Sequence, residues 1–323
     1  KEFSFPSGHT TATMAVMMCI FLTCNKKYSW LVFIFVALMG LSRNYFMVHY
    51  PTDILGGIMV GGISALISYL ICYKSKLGTG NALVTKIYNT CFVLEDNHQY
   101  FMVDAGGGNQ ILTQLKKAGY DWKDMKHIFL THKHIDHLLG MVWMMRMITQ
   151  FMNAGKYEGD AYIYGHDEVI HILKDMADTL LVPKQSALIG KRLHLVEVKD
   201  QEVKEIMGHP VTFFDIHSTK AKQFGFMVEY DGKKLTCCGD EPYCEEEKVY
   251  AENADVLLHE AFCLYEERDF RHPYEKHHST VKDACELAQK LHIKNLVLYH
   301  TEDDHVDNRK ELYKAEGAHY YTG

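Results

Sequence analysis

Thr131-His132-Lys133-His134-Ile135-Asp136-His137 is the stretch that decides the reading: four candidate metal ligands fall within six residues, directly after the apolar run His127–Leu130. The spacing predicts a strand-to-helix loop. In such a loop His132 and His134 point one way and Asp136 and His137 another, which suits two metal ions side by side. Imidazole and carboxylate donors without thiolate fit Zn²⁺ or a similar divalent ion.

Working outward, further candidates each follow a predicted strand. His217 follows Val-Thr-Phe-Phe-Asp-Ile, Asp240 follows Leu-Thr-Cys-Cys-Gly, and His300 follows Leu-Val-Leu-Tyr. Asp104 follows Met-Val, and His259-Glu260 follows Val-Leu-Leu. Side chains at the ends of rigid strands are well placed as ligands. Two adjacent metals need a bridging group. Asp240, after a glycine that permits a tight turn, suits that role. Strands are also predicted at 91–94, 100–103, 161–164, 225–230 and 235–238. Helices are predicted at 109–118, 166–173 and 280–291, which gives an α/β layered architecture.

The first 77 residues differ in character. They carry six basic and two acidic side chains, whereas the rest holds 28 basic and 39 acidic ones, a net −11. Such acidity argues against nucleic-acid binding through bulk charge. Nine cysteines without a C-x-x-C pair fit a reduced compartment. Three apolar stretches, Thr10–Cys24, Tyr28–Leu41 and Ile54–Tyr73, are read as transmembrane helices. Lys26, Lys27, Lys74 and Lys76 flank them. The positive-inside rule puts these lysines, and the chain that follows, on the cytoplasmic side.

The opposite face of that segment carries Phe-Pro-Ser-Gly-His-Thr (5–10) and Ser-Arg-Asn-Tyr-Phe-Met-Val-His-Tyr-Pro-Thr-Asp (42–53). Ser7 and the amides around Gly8 suit an anion at a helix start, and Arg43 suits phosphate oxygens. His9 and His49 suit acid and nucleophile roles, with Asp53 holding one imidazole. These motifs resemble the type 2 phosphatidic acid phosphatase (PAP2) family, over roughly the C-terminal half of its fold. The resemblance implies His49 as nucleophile, Asp53 as its orienter and His9 as acid. It implies Ser7, Gly8 and Arg43 as phosphate binders. The family's first motif would precede residue 1.

Residues 78–323 resemble the metallo-β-lactamase fold, a four-layer αββα sandwich, and within it the ribonuclease Z branch. The resemblance rests on Leu-Gly-Thr-Gly (77–80), Val-Asp-Ala-Gly (103–106), His259-Glu260-Ala261-Phe262, His278-Ser279-Thr280 and Leu298-Tyr299-His300, together with the histidine motif. It implies two Zn²⁺ or other divalent ions. One is held by His132, His134 and His217, and the other by Asp136, His137 and His300, with Asp240 bridging. Asp136 counts among the catalytic residues as well. His278, oriented by Glu260, is implied as the acid that protonates the leaving group, with His277 as the competing assignment. Asp104 is read as orienting a ligand histidine and His259 as lying around the metals. The remaining histidines of this part, His166 among them, are read as surface or loop residues. A homodimer is a candidate assembly for this branch.

Only 22 residues separate His217 from Asp240, where tRNA-processing members insert a long basic arm. The expected substrate is therefore a small phosphodiester, such as a cyclic nucleotide or a nucleic acid end, rather than tRNA. Three rival readings stand beside this one. They are a membrane-anchored metal or nucleotide sensor without turnover, a PAP2-type phosphomonoesterase, and a chain made of pieces of two proteins.

Overall fold

The computed structural model describes residues 8–23, 30–45, 50–69 and 76–323. The chain divides into two units, Lys1–Ser75 and Lys76–Gly323.

The first unit contains helices α1 (Gly8–Thr23), α2 (Val32–Tyr45) and α3 (Pro51–Tyr69). α1 packs against both others. Among the described residues no helix is long and apolar enough to cross a membrane, so the expected transmembrane segment is not supported. The described parts of the first two helices are short. α1 and α2 have 16 and 14 residues. At about 1.5 Å per residue both fall short of a hydrocarbon core of about 30 Å. α3 has 19 residues, with Pro51 at its start and Asp53 in its first turn.

The second unit is built on two six-stranded sheets. In the first, β1 (Lys76–Gly78), β2 (Cys91–Asp96), β3 (Gln99–Val103), β4 (His127–Phe129), β5 (Ala161–Gly165) and β6 (Leu193–Glu197) lie in chain order. In the second, the order is reversed: β12 (Leu296–Tyr299), β11 (Val256–Glu260), β10 (Lys233–Cys237), β9 (Phe224–Tyr230), β8 (His209–Asp215) and β7 (Val203–Ile206). Strands β3 to β6 run parallel, as do β10 to β12, so their C-terminal ends line up along one edge of each sheet.

Period-2 alternation explains the layering. Phe92, Phe101, Val103 and Phe129 face the second sheet and meet Phe213, Phe224 and Phe226 in a shared core. Phe129 lies 4.8 Å from Phe213, centroid to centroid, and Phe101 lies edge-on to Phe226 at 5.5 Å. Their sequence neighbours Val93, Met102 and Ile128 face outward onto helices α4 (Gln110–Ala118), α5 (Ile135–Asn153) and α6 (Asp167–Leu180). Helices α7 (Val281–Lys290) and α8 (Arg309–Gly317) cover the far side of the second sheet, where Val281, Ala284 and Ala288 are buried. The result is four layers, α, β, β, α.

A tight turn joins β2 to β3, with left-handed Asn97 (φ 47°) and His98 (φ 60°). The expected strands and helices recur, and the structure adds β1, β6, β7, α8 and the full length of α5.

Candidate metal centre

The site lies where the parallel strands end. β4 runs into Thr131 and His132, and His134 caps the N-terminus of α5. Asp136 and His137 fall in that helix's first turn. α5 can sit close because residue 140 is glycine: a Cβ there would meet the Ala105 carbonyl oxygen at 1.8 Å. The resulting contact joins Ala105 N–H to the His137 carbonyl at 3.0 Å and Gly140 N–H to the Gly106 carbonyl at 2.8 Å. It brings Asp104 against His137, with Oδ2 2.6 Å from Nδ1. Asp104 also accepts from Thr131 N–H at 2.9 Å and from the Thr131 hydroxyl at 2.9 Å. Asp104 thus orients the histidine, as read from the sequence.

On the second sheet, Gly239 turns the chain with φ 77°, and a Cβ there would meet Gln223 Nε2 at 2.7 Å. The turn delivers Asp240, 5% exposed, into the space between the sheet ends. Asp240 Oδ2 lies 3.5 Å from His132 Nε2, 3.3 Å from His137 Nε2 and 3.4 Å from His300 Nε2. One carboxylate oxygen therefore faces three imidazoles. His132, His134 and Asp240 form one group able to hold a metal ion, and Asp136, His137 and His300 form the next.

The electrostatics suit a cation. Burial pushes His132 well below the usual imidazole range, more than nearby Asp240 offsets. Burial opposes charge on His137 as well, but Asp104 and Asp136 outweigh it and hold the ring well above that range. Burial raises Asp136 and Asp240, yet the facing histidines overcome it and hold both well below the carboxylate range. The Nε2 atoms of His137 and His300 are buried without a hydrogen-bond partner. Two orphaned imidazole nitrogens facing carboxylate oxygens fit a bound divalent metal.

Six of the seven expected ligands converge. His217 does not join them: its side chain is exposed, and among the described residues it belongs to no metal-ligating group. It sits at φ 54° on the strap between β8 and β9, with its N–H donating to Asp215 at 2.8 Å. The residues after it are pinned by Glu241, which accepts from the Ser218 hydroxyl at 2.8 Å and Thr219 N–H at 3.1 Å. Sequence reasoning missed Glu241; its one signal was adjacency to Asp240.

His278 Nδ1 lies 3.6 Å from Glu260 Oε2. Its ring stacks on Phe262, 5.2 Å away and 7° from parallel, and lies 5.1 Å from His300. Glu260 also accepts from Ser279 N–H. His277 is exposed, with Nδ1 3.2 Å from the Thr219 hydroxyl. His259 is buried and bonds the Glu260 carbonyl at 2.7 Å. His166, read as a surface or loop residue, is instead fully buried against Phe224 at 5.4 Å. It caps α6, a loop position that the opposite sheet covers.

In the first unit, His9 is exposed on α1 and Asp53 is buried, accepting from Tyr50 N–H at 3.0 Å. Gly8 and Arg43 lie in α1 and α2. Ser7 and His49 fall outside the described residues.

Comparison with known proteins agrees with this architecture. Ribonuclease Z of Thermococcus onnurineus (strain NA1) is 25% identical over 291 residues, covering 73% of this chain and 88% of the relative. Ribonuclease Z of Bacillus cereus (strain G9842) is 26% identical over 291 residues, covering 74% and 91%. Among solved structures, the metallo-β-lactamase fold protein YhfI from Bacillus subtilis superposes with a TM-score of 0.61 at 18% identity, over 77% of this chain and 93% of that one. The short form of human tRNase Z gives 0.57 at 23% identity, over 72% and 93%. The chain is a metal-dependent hydrolase of this fold. The PAP2 superfamily model matches residues 1–77. The model described as Anti-Pycsar protein Apyc1 matches residues 75–319, and the chain belongs to that family.

Proposed function

We propose that the second unit hydrolyses a small phosphodiester, such as a cyclic nucleotide, using two divalent ions of the zinc type that the side chains around Asp240 would hold. The observation that carries this is the convergence of three imidazole nitrogens on Asp240 Oδ2 at 3.3–3.5 Å. His132 and His134 would hold one ion, and Asp136, His137 and His300 the other; His217, exposed on its strap, would complete the first only by turning inward. When bound, the ions activate a water and draw charge from the phosphoryl oxygens.

The chain's own residues do the rest. Asp104 fixes the His137 tautomer by taking its Nδ1 proton in a hydrogen bond, which leaves Nε2 as the donor to metal. Thr131 holds Asp104 in turn. Phe262 fixes the plane of the His278 ring, and Glu260 lies on its Nδ1 side. His278 Nε2 then gives a proton to the departing oxygen as the water oxygen bonds to phosphorus and the old P–O bond breaks, and the proton the water sheds returns to His278 through solvent. The relatives' ribonuclease activity supports phosphodiester chemistry. Substrate size is argued from the segment between His217 and Asp240, which holds only a short strap and the β9–β10 hairpin. With a net −11 on residues 78–323, little is left to grip a polyanion.

Residues 1–77 are proposed to attach the protein to a membrane with the hydrolase on the cytoplasmic side. Their flanking lysines and the exposed Phe35, Leu41 and Met59 support this.

The test is hydrolysis by the zinc-loaded chain of bis(p-nitrophenyl) phosphate, 3′,5′-cyclic nucleotides and a precursor tRNA. Turnover of the small esters without tRNA cleavage is expected. Cleavage of tRNA in preference to them, or no turnover of any, contradicts the proposal.

A further inference from the structure

A second group of ligating side chains lies outside the centre. Glu267, Glu302 and His305 offer donor atoms that all lie within 4.8 Å of one another. Glu267 and Glu302 are 6% and 3% exposed, and His305 is half-buried. They come from two segments distant in sequence: the turn after Leu264, and the loop between β12 and α8.

Arg271 occupies one side of this group. Its Nε lies 3.1 Å from Glu267 Oε2, and its Nη2 lies 2.6 Å from Asp304 Oδ2 and 3.6 Å from Glu302 Oε2. Glu302 Oε2 also accepts from Asp304 N–H. The other oxygens are placed differently. Glu267 Oε1 lies 2.8 Å from His305 Nε2, with Arg271 Nη2 at 3.4 Å. Glu302 Oε1 is buried with no hydrogen-bond partner. A buried carboxylate oxygen left unpaired is costly. The charge balance points the same way. Glu267, Glu302 and Asp304 set three negative charges against the Arg271 guanidinium; the neighbouring Arg309 donates to the Thr301 hydroxyl and the Glu302 backbone carbonyl rather than to a carboxylate, and Lys86 reaches Asp304 only at its exposed edge, at 4.0 Å. A divalent cation matches that excess, and a guanidinium on the outer carboxylate oxygens is the kind of partner that orients ligating carboxylates.

We propose that Glu267, Glu302 and His305 bind a further divalent cation of the zinc or manganese type, separate from the pair at Asp240. Two carboxylates and an imidazole form a donor set these ions accept, with water completing the shell. Its place in the chain suggests its role. The loop that supplies Glu302 also supplies His300, two residues earlier, and the turn that supplies Glu267 leads on to His278. A cation here ties together the two segments that carry those histidines, without touching substrate.

The experiment is metal analysis of the full chain, loaded with Zn²⁺ and desalted, together with its Glu302→Gln, His305→Ala and Asp240→Ala variants. About three equivalents per chain are expected for the parent. Glu302→Gln and His305→Ala should each lose one equivalent, and with it the share of the zinc-dependent rise in Tm that this ion provides. Asp240→Ala should keep one equivalent, and that one should vanish when His305→Ala is added. This arm separates failure of this site from failure of the main centre. A parent count that neither Glu302→Gln nor His305→Ala lowers overturns the proposal. Glu302→Gln keeps the side chain's shape, so the test survives if the histidine variant fails to fold.

Discussion

The six clustered candidate ligands and the strap that carries His217 are held in opposite ways. Each clustered side chain hangs from a strand end or the first turn of α5, five of the six are buried, and they meet at Asp240. His217 stands exposed on a surface crossing, where the Asp215 and Glu241 carboxylates accept from His217 N–H, the Ser218 hydroxyl and Thr219 N–H. The contrast divides the site into a part fixed by the sheets and a part fixed by a few replaceable contacts. It also accounts for the strain. Asp104 (φ 57°), His217 (φ 54°) and His300 (φ 55°) all adopt left-handed backbone conformations. For Asp104 and His300 the strain is repaid by burial in the centre; for His217 the strap contacts have to carry it.

The contrast can be broken or sharpened by substitution. Asp240→Ala should have the largest effect. It removes the oxygen shared by both groups, and phosphodiesterase activity should fall by about 10³-fold or more, with metal content falling too. His217→Ala should cost less, about 10²-fold, and weaken one ion while the other stays bound. Equal losses from the two variants in the same assay would erase the distinction drawn here. Asp104→Asn keeps the shape but removes the charge from His137 Nδ1. Metal affinity measured by chelator competition should fall about 10–100-fold. Glu241→Gln frees the strap without touching a clustered ligand. It should lower affinity for one ion only, by about threefold to tenfold, given one charged hydrogen-bond acceptor lost. A uniform loss for both ions would show that the strap is not an independent part.

The smallest effect on activity belongs to the strap's root. Cys244 Sγ lies 3.4 Å from the Ile216 carbonyl, and Cys244 N–H donates to Glu247 at 2.9 Å. Burial pushes the Glu247 carboxyl up from 4.5 to about 7. The folded state therefore keeps a proton that the unfolded chain releases. Stability should fall as pH rises from about 4.5 to about 7 and level off above that. Glu247→Gln should abolish that slope and stabilise the fold near neutral pH, on the order of 2 kcal/mol. Urea midpoints between pH 5 and 8 check it, and an unchanged slope in the variant would contradict it.

The clustering was legible in the sequence because its side chains follow recognisable strands. His132 to His137 announce themselves by spacing, and Asp240 and His300 by the apolar runs before them. Asp104 was legible as an orienter because it ends β3 beside β4. What stayed hidden depends on packing between distant segments. Glu241, Phe262 and Arg271 act on residues brought near only by the sandwich. His166 was misread because burial of a loop residue is decided by the opposite sheet, which supplies Phe224. β6 and β7 were missed because their alternation is blurred by His194, Lys204 and Glu205. The apolar runs of the first unit were read as helices, and the described residues there are helical.

The central claim is a pair of cations around one carboxylate. Crystals of the zinc-loaded chain, measured at the zinc absorption edge, test it most directly. Two anomalous peaks about 3.5–4 Å apart are predicted on either side of Asp240, one beside His132 and His134 and the other beside Asp136, His137 and His300. A single peak there, or none, would contradict the account.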